Sequence, residues 1–234
     1  MAVAYDPAMR RTPVGLLLFL LLLLPAPPAR PATVPAAAGE VLHYRWRLQG
    51  LLGGVAGLFL PRQGEATLCQ RPLESGHQVS ELYLVAGHGE DGQFFRYGAE
   101  IDPASGVTVR AWSSYRWRGE AKAREAEVGQ AGVIDIASGI QALRRDPPTG
   151  TRVLEIWSDG RVYPVLVLPG ATRRQLLRGE PVTVRAYSIR GLSRPERRTW
   201  KGRLDLWLAD DPAATPMEIR VQRSLADLVL TLAP

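Results

Sequence analysis

Asp210 and Asp211 stand side by side in "LDLWLADDPAATPMEIRV", Leu204 to Val221. Two adjacent carboxylates could share a proton in acid–base chemistry or ligate a cation. In an extended chain, however, successive side chains point to opposite faces, so such a dyad requires a sharp bend between them. Calcium takes about six or more oxygens, and the spacing does not resemble an EF-hand loop. The pattern reads instead as a turn. Leu204, Leu206 and Leu208 share one strand face, while Met217, Ile219 and Val221 supply the matching face of the next. Asp210 to Thr215, with Pro212 and Pro216 at the bends, connects the two, and aspartate in such loops hydrogen-bonds nearby backbone amides.

Trp207 shares the polar side of its strand with Asp205. A tryptophan there is either buried under a second layer or stands at an opening where it meets a ligand. Trp112, Tyr115 and Trp117 pose the same choice, and these four aromatics are the candidate ligand contacts. Arg110, Arg116 and Arg118 interleave with the three, which imitates a nucleic-acid surface. The export leader described below argues against that partner.

Other groups fit known chemistry less well. "GHGEDG", residues 87–92, has the letters of a dinucleotide loop, yet "QFFRYG" follows as a strand where that site needs a helix. Cys69 is the sole cysteine and alternates with apolar neighbours in "EATLCQR", the pattern of a small buried strand residue. His43, His77 and His88 are scattered, and no nucleophile elbow, His-Glu-x-x-His or phosphate loop occurs. The sequence therefore nominates no catalytic residue, metal site or cofactor.

The elements that position these residues are mostly strands. Period-two alternation recurs in eleven segments, from "VLHYRWRL", with Leu42, Tyr44, Trp46 and Leu48 on one side, to "ADLVLTL" near the end. Asp159-Gly160 joins "VLEIWS" to "RVYPVLVL" as a two-residue hairpin turn. One segment differs. In "VIDIASGIQALRRDPP", Val133, Ile136, Ala137, Ile140 and Leu143 recur at helical spacing. Asp135 can cap that helix, Arg144 and Arg145 suit its carboxyl end, and Pro147-Pro148 stop it. "GEAKAREAEV" is ambiguous, having helical propensity but no apolar stripe. The expected fold is mainly β: a large curved antiparallel sheet, or a partly open barrel, closing on about one helix. "RVYPVLVL" is apolar on both sides, which requires cover on both faces.

Residues 1–38 read as a signal and a Pro/Ala-rich leader, and 39–234 as a single exported domain. Arg10 and Arg11 precede eleven apolar residues, Val14 to Leu24, and Ala36-Ala37-Ala38 offers the cleavage site. That run is short for a membrane span of about 20 residues. Removing the leader lowers the formal charge from +6 to +4. The remaining positive charge is nearly all arginine, Lys122 and Lys201 being the only lysines, and arginine can hold carboxylate or phosphate groups bidentately.

The order of a leader, a first strand "YRWRLQGLLGGVAGLFL", the helix "DIASGIQALRR", the hairpin "WSDGRVYPVLV" and the closing "RLDLWLADDPAATPMEIRV" resembles the exported bacterial family called domain of unknown function 3108. The resemblance implies export and a β-rich fold and supplies no catalytic residues. The plan is also similar to the lipoprotein carriers of the bacterial envelope, an open sheet wrapped over helices. The function expected is a non-enzymatic periplasmic protein binding an apolar or lipid-like ligand or an envelope component. The alternatives are a structural or partner-binding module and, behind it, a hydrolase with a site assembled from distant residues.

Overall fold

The computed structural model describes residues 39–50, 63–86, 92–117, 119–222 and 227–233. The leader expected over 1–38 and most of the glycine-rich stretch 87–92 lie outside the described residues. Strands β1 (Val41–Gln49), β2 (Gln63–Pro72), β3 (Gln78–Ala86), β4 (Gln93–Asp102), β5 (Val107–Trp117), β6 (Glu120–Ala131) and β7 (Val133–Ile134) precede the helix α1 (Ile136–Arg145). Strands β8 (Arg152–Ser158), β9 (Arg161–Leu177), β10 (Glu180–Gly191), β11 (Arg203–Ala209), β12 (Pro216–Gln222) and β13 (Asp227–Leu232) follow. All thirteen strands form one sheet in the order β6-β5-β4-β3-β2-β1-β13-β12-β11-β10-β9-β8-β7. Neighbours are antiparallel except β7 and β8. The fold is mainly β and barrel-like.

Alternation sets the faces. In β1, Tyr44 and Trp46 are buried while His43, Arg45 and Arg47 are exposed. The concave side gathers Leu68, Leu82, Leu84, Val165, Val167, Leu204, Leu206, Ile219 and Leu230 into one core. Ala137, Ile140 and Leu143 of α1 enter that core, so the helix lies inside the curve of the sheet. Buried Asp135 caps it, accepting from the backbone N–H groups of Ala137 (3.0 Å) and Ser138 (2.9 Å). Its far end is tied down by Arg144, only 1% exposed. That guanidinium donates to Glu40 at 2.6 Å, to Gln141 Oε1 at 2.8 Å and to the Ala213 carbonyl at 3.2 Å. The Tyr44 hydroxyl donates to the Pro216 carbonyl (2.9 Å) nearby. Val133, read from the sequence as part of the helical face, belongs instead to β7, because Asp135 starts the helix at Ile136.

β6 is the segment whose composition was ambiguous. It pairs along most of β5, from Trp117↔Glu120 to Val107↔Ala131. As a helix it would have had no apolar stripe to bury, whereas as a charged edge strand its backbone is paired and its edge is protected.

The two ends of the sheet overlap. Ala99, Ala111 and Ala126 on the concave side of β4, β5 and β6 pack with Val133, Trp157 and Val162 on the opposite face of β7, β8 and β9. Ser113 donates to Asp159 Oδ1 (3.1 Å), and Thr108 Oγ1 donates to the Val133 carbonyl. The closure is made by side chains rather than by a continuous backbone ladder. This overlap covers the outer face of early β9, where Val162 meets the alanines, while Val165 and Val167 face the inner core. Between β8 and β9, Asp159 and Gly160 have φ of 49° and 83°. Positive values at both central positions make the twist of a two-residue turn match its strands.

Candidate functional site

Trp46 is paired across the strands with Gly64. A Cβ on Gly64 would stand 2.6 Å from the indole and 2.1 Å from the Val85 carbonyl oxygen. Glycine therefore lets the ring lie across β2, where its Nε1 donates to that carbonyl at 3.0 Å. The indole then forms a wall. Beside it, Phe95 and Tyr97 alternate inward from β4, Tyr163 projects from β9, and Leu82, Leu84, Leu204 and Leu230 complete an apolar lining. The cavity, open to solvent on one side, measures about 1000 Å³, the upper end of the range of about 300–1000 Å³ typical of small-ligand sites.

The β10–β11 connection, 192–202, contributes another wall. Trp200 lies against Gly202, where a Cβ would come within 2.3 Å of its ring. It borders both the main cavity and a small apolar void beside α1. The lining turns polar where this connection meets the β8–β9 turn, through Ser158, Asp159, Arg161, Arg198 and Lys201. The three basic residues there are also solvent-exposed, so they border the cavity and water together.

The nominated aromatics lie elsewhere. Trp112 faces outward on β5, flat over Gly98, where a Cβ would come within 2.6 Å, and between the guanidiniums of Arg96 (6.0 Å) and Arg110 (5.7 Å). Tyr115, three residues on, faces inward and stacks on Phe95 at 6.0 Å, one residue behind the cavity wall. Trp117 ends β5, and its side chain lies outside the described residues. Trp207 is on the outer face under Arg173, whose guanidinium is 3.8 Å from the ring centre and 2.7 Å from Glu218.

Among the turn residues, Asp211 accepts from Thr215 N (2.9 Å) and Thr215 Oγ1 (2.7 Å). Asp210 is exposed, its backbone N–H donating to Thr183 O at 2.7 Å, and Pro216 begins β12. Asp159 and Gly160 form the β8–β9 turn at the cavity edge. The sequence missed Phe95, Tyr97, Tyr163 and Trp200 as cavity residues. Alternation placed Trp46 on an apolar face, but nothing local distinguishes a residue lining a void from one in packed core.

Titratable groups away from the cavity have structural surroundings. Cys69 is half-buried, and desolvation followed by the Glu81 charge pushes its thiol up, away from a reactive thiolate. Burial likewise raises the hydroxyls of Tyr44 and Tyr187. His77 Nδ1 lies 2.7 Å from Glu100, but nearby Ser75 Oγ contacts the His77 backbone rather than its ring. Among the described residues, no three His, Cys, Asp or Glu converge as a metal set, and no helix is long and apolar enough to cross a membrane.

No family model matches the chain, and no curated protein matches it. Among solved structures, it is similar to a β-barrel-like protein of domain of unknown function 1849 from Brucella abortus, at TM-score 0.54 and 9% identity over 86% of this chain and 97% of that one. A looser match is the hypothetical lipoprotein YmcC of Escherichia coli K12, at TM-score 0.32 and 10% identity over 96% of this chain and 98% of that one. The first likeness shows a shared fold, that of a bacterial β-barrel-like protein.

Proposed function

We propose that this chain is an exported, non-enzymatic protein that shelters the apolar part of a lipid-like ligand in the periplasm of a Gram-negative-type cell. The observation that carries the reading is the cavity of about 1000 Å³ bounded by Trp46, Phe95, Tyr97, Tyr163 and Trp200. Moving a methylene from water into such a lining contributes about 0.8 kcal/mol, so about ten of them supply about 8 kcal/mol before the costs of ordering. The basic and apolar leader supports export. The resemblance to domain of unknown function 3108 agrees with that location, and membership of that family is part of this proposal.

The test uses protein purified from cells that export the full chain. It is expected to enhance the fluorescence of the neutral probe N-phenyl-1-naphthylamine saturably, and organic extraction is expected to release a lipid detectable by mass spectrometry. A protein that neither binds the probe nor yields a lipid would defeat the reading.

Trp112 and Trp207 favour a second reading, a partner-binding module, since both lie on the outer face away from the cavity. A photocrosslinking residue at position 112 in intact cells would then capture one specific protein, with no lipid recovered.

A further inference from the structure

Two groups of basic residues stand around the β10–β11 connection, apart from Arg194, which neither forms an ion pair among the described residues nor lines the cavity. Arg197 pairs with Glu155 at 2.7 Å and Arg203 lies 3.7 Å from Asp205. Arg161, Arg198 and Lys201 border the cavity instead, and none of the three has an ion-pair partner among the described residues. They come from two neighbouring connections, the β8–β9 turn and 192–202, so their charges gather at one end of the cavity. Asp159 is the carboxylate beside them, and one of its oxygens is engaged by Ser113. The rest of the lining is mostly aliphatic and aromatic. An apolar chamber with a cationic edge complements a molecule with an apolar chain and a negative head.

We infer that the ligand is a single-chain amphiphile with an acidic head, its chain in the aromatic-walled cavity and its head held by Arg161, Arg198 and Lys201. This rests on the cavity being the binding site, as proposed above. Arginine suits the task because its planar fork meets a carboxylate or phosphate through two parallel hydrogen bonds. Lys201 adds a point charge. Because all three are solvent-exposed, a head can be held without the cost of burying an ion.

Displacement of N-phenyl-1-naphthylamine by oleate, oleyl phosphate and oleyl alcohol, each below its aggregation concentration, tests the assignment. The full chain is expected to bind oleate or oleyl phosphate at least about tenfold more tightly than the alcohol, a difference of about 1.4 kcal/mol. Whichever acid is preferred identifies the head as carboxylate or phosphate. Added salt should shrink the preference. In the R161Q/R198Q/K201Q variant, the preference for the acid over the alcohol should disappear, with an unchanged far-ultraviolet circular dichroism spectrum showing that the variant is folded. Equal binding of acid and alcohol by the wild type, or a preference that survives the triple substitution, would overturn the head assignment while leaving the cavity intact. Failure of every ligand and of the probe itself would overturn the cavity reading and the head assignment with it.

Discussion

Trp46 opposite Gly64 and Trp112 opposite Gly98 are the same device used on opposite faces of one sheet. In each pair the missing Cβ lets an indole lie flat over the neighbouring strand, covering backbone that glycine leaves bare. Inside, the ring reaches the Val85 carbonyl and becomes cavity wall. Outside, it is flanked by Arg96 and Arg110. Gly64→Ala is therefore expected to cost about 1–3 kcal/mol, read by urea unfolding, and to weaken the naphthylamine probe. Unchanged stability and binding would show that the ring does not depend on that space. Asp135 gives a pH-dependent case. Burial raises its folded-state value above the ordinary 3.8, so the native state resists its ionisation. The stability linked to this group is complete below 3.8 and falls as pH rises through the folded value. An asparagine at this position would cap the helix without a charge. The stability of the wild type relative to D135N should thus decline as pH rises above 3.8 toward the raised folded-state value, and a flat difference would contradict the assignment.

Helix α1 is a single short rod held at both ends, by the Asp135 cap and by Arg144. A helix of this length is marginal alone, so its place depends on Ala137, Ile140 and Leu143 entering the core and on the buried guanidinium bridging Glu40, Gln141 and Ala213. Replacing Arg144 with methionine removes the charge but leaves Gln141 and the Ala213 carbonyl without this donor. Breaking one side of such a pair costs about 3–5 kcal/mol. Glu40 keeps partial access to water, so the lower end, about 3 kcal/mol, is expected from chemical denaturation of R144M. A loss no larger than that of an ordinary surface substitution would mean that α1 is held by its apolar face alone. The β10–β11 connection has a comparable anchor in Trp200, which lies on Gly202 and borders both the cavity and the void beside α1.

Overlap of the sheet ends gives the barrel-like unit its closure and sets the shelter around its cavity. The end of β8 and the start of β9 lie against the concave side of β4, β5 and β6, with Trp157 filling the seam among Ala99, Ala111 and Ala126. Small residues on one side and a large ring on the other allow the layers to approach without a backbone ladder. Trp157→Ala should cost about 3–5 kcal/mol. Hydrogen exchange should accelerate first in β7, β8 and the start of β9, before β1 to β3, if the seam closes the sheet. Uniform acceleration throughout would show instead that the seam is no weaker than the ladders.

Alternation along β1, β3, β11 and β13, the cap at Asp135 and the proline stop after Arg145 made the mainly β class and the helix legible, because each depends on contacts within a few residues. β6 escaped because its residues favour helix locally and only pairing with β5 decides otherwise. The candidate site was less legible still. Trp112 and Tyr115 are three residues apart and so face opposite ways, yet nothing in their neighbourhood says which face is concave. That depends on curvature accumulated over thirteen strands. By itself the sequence determined which side chains share a face and where the chain turns. Only the tertiary structure decided which face encloses Trp46, Phe95, Tyr97, Tyr163 and Trp200, and that Arg161 meets Arg198 and Lys201 at the cavity edge, because those juxtapositions arise from sheet closure between segments distant in the chain.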